Sequence, residues 1–199
     1  MFVARILYPV EVLGPGKRIG IWTCGCPHRC KGCSNPELWE FQNQYKTTPE
    51  LVFRMIRAIA DKHKVDGFTI TGGDPMYQPD ELQEMVKLLS TISNDILVYT
   101  GSVIEDIPLK YLKGIAVLID GLYIEERNNN CLLRGSDNQR IHILDESVSE
   151  KYHSYLTTEE NKIQNFTTSN GIISVGIHKP GFIDELYRFV NDKGLINNE

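Results

Sequence analysis

Three cysteines fall within eight residues, Cys26-Pro-His-Arg-Cys30-Lys-Gly-Cys33, spaced C-x3-C-x2-C behind a short apolar run. Thiolates this close can wrap one soft metal centre, and they select iron–sulfur clusters, zinc or copper(I). Structural zinc asks for four ligands, usually in two C-x2-C or Cys/His pairs. Here a fourth would have to be His28, inside the chelate loop, or Cys24, in an unusual C-x-C. No second C-x2-C pair exists. The spacing favours a cubane cluster, whose fourth iron corner three cysteines leave open to bind something else. Cys24 and Cys131 read as ordinary buried thiols.

A second constellation is Gly72-Gly73-Asp74-Pro75 at the end of a β-rich run. Two glycines there expose backbone N–H and C=O groups to a close ligand. Alone, the segment reads as a plain β-to-helix turn. Beside an open iron it suggests a ligand carrying an amino group, with Asp74 as the counter-charge.

The elements that must position these groups alternate in type. Residues 2–9 and 18–23 read as strands joined through Gly14-Pro15-Gly16. Thr48 suits a helix N-cap, Pro49 the first helical position and Glu50 the positive helix end. Leu51, Val52, Met55, Ile56 and Ile59 then recur at helical spacing as one apolar face. A strand over 67–71 precedes the double glycine. A second helix starts near Pro79 with Leu82, Met85, Val86 and Leu89 facing inward. Strands follow at 96–100 and 115–119, with an ill-defined helix over 103–113 between them. The expected fold is α/β, a mainly parallel sheet with helices packed on it. Three strands end in polar or glycine residues, at Gly72-Gly73-Asp74, Thr100-Gly101 and Asp120-Gly121, and strand carboxyl ends build sites in such folds.

Beyond 145 the expectation is looser. Residues 157–170 read as a polar, mobile excursion closed by Asn170-Gly171. Residues 172–177 read as a late strand, and 182–191 as a final helix with Phe182, Leu186, Phe189 and Val190 apolar and Gly194 as its stop. His178 reads as a surface histidine.

Size and charge narrow the function. The chain has 199 residues, 41% hydrophobic, enough for one domain with a core. A net charge of −5 leaves no electrostatic footprint for nucleic acid or an anionic membrane. No apolar run reaches membrane-spanning length. The N-terminal Met-Phe-Val-Ala-Arg lacks the marks of a signal peptide. Five cysteines, four of them crowded together, are not a disulfide framework. The expectation is a metal-using protein of the reducing cytoplasm.

The C-x3-C-x2-C spacing is the hallmark of the radical S-adenosylmethionine (SAM) family. More closely, the chain resembles the activating proteins of anaerobic (class III) ribonucleoside-triphosphate reductases. The resemblance runs in order over residues 8–145. It takes in Gly14-Pro15-Gly16 with Arg18, Gly25-Cys26 through Cys33 with Asn35, and Thr71-Gly72-Gly73-Asp74-Pro75. Tyr99-Thr100-Gly101, Asp120-Gly121 and Arg134-Gly135-Ser136-Asp137-Asn138-Gln139 follow. Asp74 stands where most of the wider family carries Glu, and Ser34 where Tyr or Phe is common.

The resemblance implies a partial (β/α) barrel, open laterally, with the cluster loop at its carboxyl rim. A core over 1–145 would carry a C-terminal extension over 146–199, packed on the same domain. Cys26, Cys30 and Cys33 would hold three irons of a [4Fe–4S] cluster, with SAM chelating the fourth. Gly72, Gly73 and Asp74 would receive the methionine end of SAM; Gly32 and Ser34, with Tyr99, would contact the rest. The implied activity is that of a radical SAM oxidoreductase. It cleaves SAM reductively to a 5′-deoxyadenosyl radical and makes a glycyl radical on anaerobic ribonucleotide reductase. The partner would come in trans, and a reduced flavodoxin or similar donor would supply the electron. A radical SAM enzyme with another target, or a non-enzymatic iron–sulfur or zinc module, are the alternatives. The Arg134–Gln139 segment fits either a partner-facing loop or a hydrogen-bonded turn.

Overall fold

The computed structural model describes residues 1–168, 171–182, 185 and 188. Six strands form one sheet in sequence order. They are β1 (Val3–Val10), β2 (Arg18–Thr23), β3 (Gly67–Gly72), β4 (Ile96–Tyr99), β5 (Val117–Asp120) and β6 (Arg140–Ile143). β2 to β5 run parallel, and β1 and β6 pair antiparallel at the two edges. The expected mainly parallel α/β sheet is present. It is an open sheet with two edges, not a closed barrel.

Period-2 alternation sorts side chains onto two faces. Ile19, Ile21, Phe68, Ile70, Ile96 and Val98 face α1 (Pro49–Ala60) and α2 (Pro79–Leu89). On the opposite face Leu97, Val117 and Ile119 meet Leu133, Val148 and Tyr152. Thr48 caps α1 through its side chain, accepting from Leu51 N, with Pro49 at the first position. The apolar stripe on α1 is narrower than expected. Val52 and Ile56 are buried, whereas Leu51 and Met55 are exposed. Phe53 and Ile59 complete the packed face. The neighbouring flank, one position back along the helix, faces solvent.

Residues 103–113 form two single 3-10 turns, Ile104–Asp106 and Leu109–Tyr111, rather than a helix. Pro108 between them offers no backbone N–H and disfavours a helical residue before it. β6, Arg-Ile-His-Ile, alternates polar and apolar with Ile141 and Ile143 on the packed face, but four residues are too short a run to stand out in the sequence.

The region past 145 is more ordered than expected. It holds α3 (Ser149–Thr158) and a two-stranded hairpin, β7 (Gln164–Thr168) with β8 (Gly171–Val175). The polar stretch over 157–170, expected to be mobile, thus contains the whole of β7. β7 is polar because it covers little apolar surface. Its Gln164 earns its place with two side-chain hydrogen bonds, accepting from Glu11 N and donating to Pro9 O. Of the helix expected over 182–191, only residues 182, 185 and 188 are described, and they are helical. Gly194 lies outside the described residues.

α3 is fixed by charge. Arg18 is fully buried and reaches Asp95 Oδ1 at 2.9 Å, Thr69 Oγ1 at 2.8 Å and the Pro15 carbonyl. Tyr152 OH donates to the same Asp95 oxygen at 2.8 Å, and Lys151 pairs with the other. Burial alone would raise the Asp95 carboxyl, but Arg18, Lys151 and Tyr152 together hold it below its ordinary value. Burial likewise pushes the Tyr152 phenol up.

Candidate metal centre and its cavity

The cysteine loop leaves the carboxyl end of β2 and is laid along the end of β3. Gly73 N donates to Thr23 O and Asp74 N to Gly25 O, each at 2.8 Å, so the β2–β3 ladder continues into both loops. The double glycine is needed for this approach. A Cβ on Gly72 would lie 2.5 Å from Thr23 O, and one on Gly73 2.4 Å from Gly25 O. Opposite them, Gly25 and Cys26 donate backbone N–H groups to Leu38 O and Trp39 O.

Cys26, Cys30 and Cys33 line one cavity of about 190 Å³ at the carboxyl ends of β2 to β5. All three are partly exposed, while Cys24 is buried with its thiol against Glu40 O. Burial raises the Cys26 thiol, and backbone N–H groups at His28 and Arg29 oppose the rise. Burial raises Cys30 as well, opposed by the Tyr123 and Cys30 N–H groups. Asn35 N donates to Cys33 Sγ at 3.4 Å. Each sulfur therefore has backbone dipoles aimed at it, which is what a metal-bound thiolate needs from the surrounding chain.

Among the described residues, no three His, Cys, Asp or Glu side chains converge on a point that would hold a single ion. A tetrahedral zinc needs such convergence at about 2.0–2.3 Å. A cluster bonds each thiolate to a different iron and spreads its ligands. Three cysteines grouped on one cavity with backbone N–H groups facing their sulfurs have the chemistry of an iron–sulfur ligand set. His28 does not turn toward the sulfurs as a fourth ligand: its Nε2 meets Asp74 Oδ2 at 2.7 Å.

The other expected site residues divide. Ser34, Gly73 and Tyr99 line the cavity with the cysteines; Gly32, Gly72 and Asp74 do not. Gly32 lies on the outer side of the loop, where a Cβ would meet Glu125 Oε1 at 2.5 Å. Lys31 beside it pairs with Glu125 and Glu126. Asp74 is 2% exposed, and its carboxylate accepts from Met76 N, Gly101 N and Thr100 Oγ1 besides facing His28. It braces the site from behind. The Tyr99 phenol donates to Leu133 O at 2.9 Å, and burial pushes its pKa up.

The Arg134–Gln139 segment is a hydrogen-bonded turn. Arg134 donates to Asp137 O and Gln139 O, and Gln139 accepts from Gly135 N while donating to Gly121 O. Gly135 and Gln139 reach the cavity through it.

One whole wall comes from the late strand read over 172–177 and the residues after it, where the sequence favours a surface position for His178. Ser174, Val175, Gly176, Ile177 and His178 line the cavity. His178, expected on the surface, is partly buried, with Nε2 at 2.8 Å from Ser174 Oγ and its carbonyl accepting from Asn128 Nδ2 at 2.7 Å. Burial lowers its pKa. Sequence reasoning missed Trp22 and Tyr123. Both follow from the rule that strand carboxyl ends build the site, since each sits at or just past such an end.

The chain matches the family model described as a 4Fe-4S single cluster domain over residues 12–142. It is 38% identical over 142 residues to the anaerobic ribonucleoside-triphosphate reductase-activating protein of Enterobacteria phage T4, covering 68% of this chain and 90% of that protein. The protein of the same name from Vibrio cholerae is 35% identical over 146 residues, 68% of this chain and 94% of the relative. That of Escherichia coli K12 is 31% identical over 148 residues, 69% and 96% respectively. The relatives are nearly exhausted by these matches, whereas about a third of this chain is left over, and the hairpin over 164–175 lies beyond the family model. With three cysteines grouped at the strand ends inside that model, this chain belongs to the family of anaerobic ribonucleoside-triphosphate reductase-activating proteins, built on a 4Fe-4S single cluster domain.

Proposed function

We propose that this chain is a radical SAM activase that generates a glycyl radical on an anaerobic ribonucleoside-triphosphate reductase supplied in trans. The observation that carries the reading is the shared cavity. Three cysteine thiols form one side of it, and the Gly73 backbone at the tip of β3 faces the same space. When bound, a reduced [4Fe–4S] cluster supplies one electron to SAM, whose carbon–sulfur bond breaks to give methionine and a 5′-deoxyadenosyl radical that takes a hydrogen atom from the partner's glycine.

The residues of the chain provide position and exclusion of water. Cys26, Cys30 and Cys33 hold the cluster, with backbone N–H groups at His28, Arg29, Tyr123 and Asn35 offsetting thiolate charge. Gly73 presents bare backbone to the methionine end of SAM, with Gly72 and Asp74 fixing that turn from behind. Asp74 serves by holding His28, Thr100 and Gly101 in place. Ser34 and Tyr99 form further wall around SAM, and Gly32 lets the loop pack on Glu125. The open edges of the sheet support a radical SAM-type partial barrel. The described part of the extension beyond 145 would ride on the core over 1–145, through α3 and the hairpin. No described helix is long and apolar enough to cross a membrane, which suits the cytoplasm, where a reduced flavodoxin or similar donor supplies the electron.

The test uses anaerobically reconstituted protein, reduced and incubated with SAM, with 5′-deoxyadenosine as the readout and a Cys30→Ala variant alongside. Product from the native chain alone is expected. No product from a chain fully loaded with iron and sulfide overturns the reading. A glycyl-radical signal on the added reductase then identifies the partner.

A further inference from the structure

We propose that Ser174 and His178 are specificity-determining residues that hold the uncharged main chain of the partner's glycine-bearing segment across the cavity from the cysteines. The proposal rests on the activase reading above and names what that site binds and what in this chain binds it.

The hairpin is tied to both sides of the cavity. At one side Val175, 3% exposed, packs with Val10, Val12, Leu13, Trp22 and Leu38. At the other, Asn128 Nδ2 donates to His178 O at 2.7 Å. Asn161 Nδ2 donates to the Ile177 carbonyl at 2.7 Å between them. Asn128 also donates to Tyr123 OH, and the Tyr123 backbone N–H faces the Cys30 sulfur. The segment 174–178 therefore spans from the β1–β2 rim to the loop after β5. The family model ends at residue 142, so this wall is added to the shared core.

The chemistry of the lining selects the ligand. None of the described residues lining the cavity is Asp, Glu, Lys or Arg. Away from the cluster, whose open iron would take the carboxylate of SAM in the activase reading, a phosphate or carboxylate on this wall would lose water and gain no cationic partner, a strong penalty in a partly buried site. A nucleotide or an organic acid is thus a poor occupant. Peptide amides suit the wall, because they need single donors and acceptors at fixed points. The Ser174 hydroxyl and the His178 ring, held 2.8 Å apart, offer both. Gly176 lies between them at φ 134°, and its missing side chain lets the segment pack on Lys162 O, 2.5 Å from where a Cβ would stand, which fixes the Ser174–His178 wall. Substrate-binding roles of this kind depend on hydrogen bonds that go unmade when one member is lost.

The test is a binding titration that needs no turnover. Trp22 is in the cavity wall and 4% exposed, so its fluorescence reports occupancy. The full-length chain is titrated with a capped, uncharged hexapeptide carrying a central glycine, and separately with ATP and with citrate. Saturable quenching by the peptide is expected. His178→Ala and Ser174→Ala should each weaken it by roughly three- to ten-fold, and His178→Gln, which keeps a donor and an acceptor, should recover most of the loss. Should His178→Ala fail to fold by circular dichroism, the Ser174→Ala and His178→Gln pair decides. No peptide binding by the native chain, equal affinity in native and variant chains, or ATP or citrate binding as tightly as the peptide would overturn the proposal. Loss of 5′-deoxyadenosine formation in the native chain would instead strike the activase reading, and the titration is independent of it.

Discussion

His28 Nε2 lies 2.7 Å from Asp74 Oδ2, joining the interior of the cysteine loop to the tip of β3. The ring is boxed in from the far side by Gly101, where a Cβ would stand 2.4 Å from His28 Cδ2. Asp74 carries the same linkage to β4 through Thr100 and the Gly101 N–H. One buried carboxylate thus fixes the ends of three segments that form the cavity. Both oxygens of the Asp74 carboxylate are engaged by the chain itself, through His28, Thr100, Gly101 N and Met76 N.

Asp74→Ala should therefore act on stability and on the cluster loop together. It leaves the Gly101 and Met76 N–H groups and the Thr100 hydroxyl without their acceptor, at a cost of roughly 2–4 kcal/mol. Iron content after reconstitution should fall alongside the unfolding midpoint. Gly101→Ala should lower iron content with a smaller stability loss, because it displaces only the His28 ring. An Asp74→Ala chain with native stability would mean that the network is dispensable.

The proposed ligand set predicts a split among the five cysteines. Replacing Cys26, Cys30 or Cys33 by Ala should abolish the oxygen-sensitive visible absorption of the reconstituted chain and cut bound iron and sulfide. Cys24→Ala and Cys131→Ala should retain both, since Cys24 is buried against Glu40 O and Cys131 bonds to Asn129 and Arg134 outside the cavity. Retention of a full cluster in Cys33→Ala would move the third ligand elsewhere.

What was legible in the sequence followed from local rules. The Thr48-Pro49 helix start stands in the structure as read, and the cysteines and the Gly72-Gly73 turn, each set by a few neighbouring residues, come together at the carboxyl ends of β2 and β3. The hairpin wall was not legible, because its role depends on contacts 150 residues away, such as Gln164 with Pro9. β8 stands close to the late strand read over 172–177, but its partner β7, Gln-Asn-Phe-Thr-Thr, is too polar to announce itself by periodicity. The direction in which Asp74 and Gly32 face was hidden for a related reason: the motif gives their place on the chain, while His28 and Glu125 decide which way each is turned.

The α1 stripe shows how far periodicity alone reaches, and it gives a direct test. Ile56→Ala should cost about 2–4 kcal/mol, because the side chain is fully buried between helix and sheet. Met55→Gln, at the adjoining and 47% exposed position, should change stability by less than about 0.5 kcal/mol. Chemical denaturation of the two variants separates them. Equal losses would mean that the whole five-residue stripe is packed.

The Arg18–Asp95 pair sets a pH dependence whose sign is fixed by its geometry. The Asp95 carboxyl is 5% exposed and held below its ordinary value. A depressed folded pKa means that the ionised form contributes stability above the unfolded value, about 3.9. That contribution is lost as pH falls through the lower, folded value. Removing the carboxylate should leave the Arg18 guanidinium buried and unpaired, so Asp95→Ala should lose roughly 3–5 kcal/mol near neutrality. Asp95→Asn should lose less, because its amide oxygen can still accept from Arg18. The gap in urea midpoint between the native chain and Asp95→Asn should be widest above pH 5 and close as pH is lowered past about 4. Asp120, also depressed through Arg140 and His142, titrates in both chains and cancels from the comparison. A gap that stayed constant down to pH 3 would show that the acid sensitivity resides in Asp120 or another carboxylate rather than in the network that anchors α3.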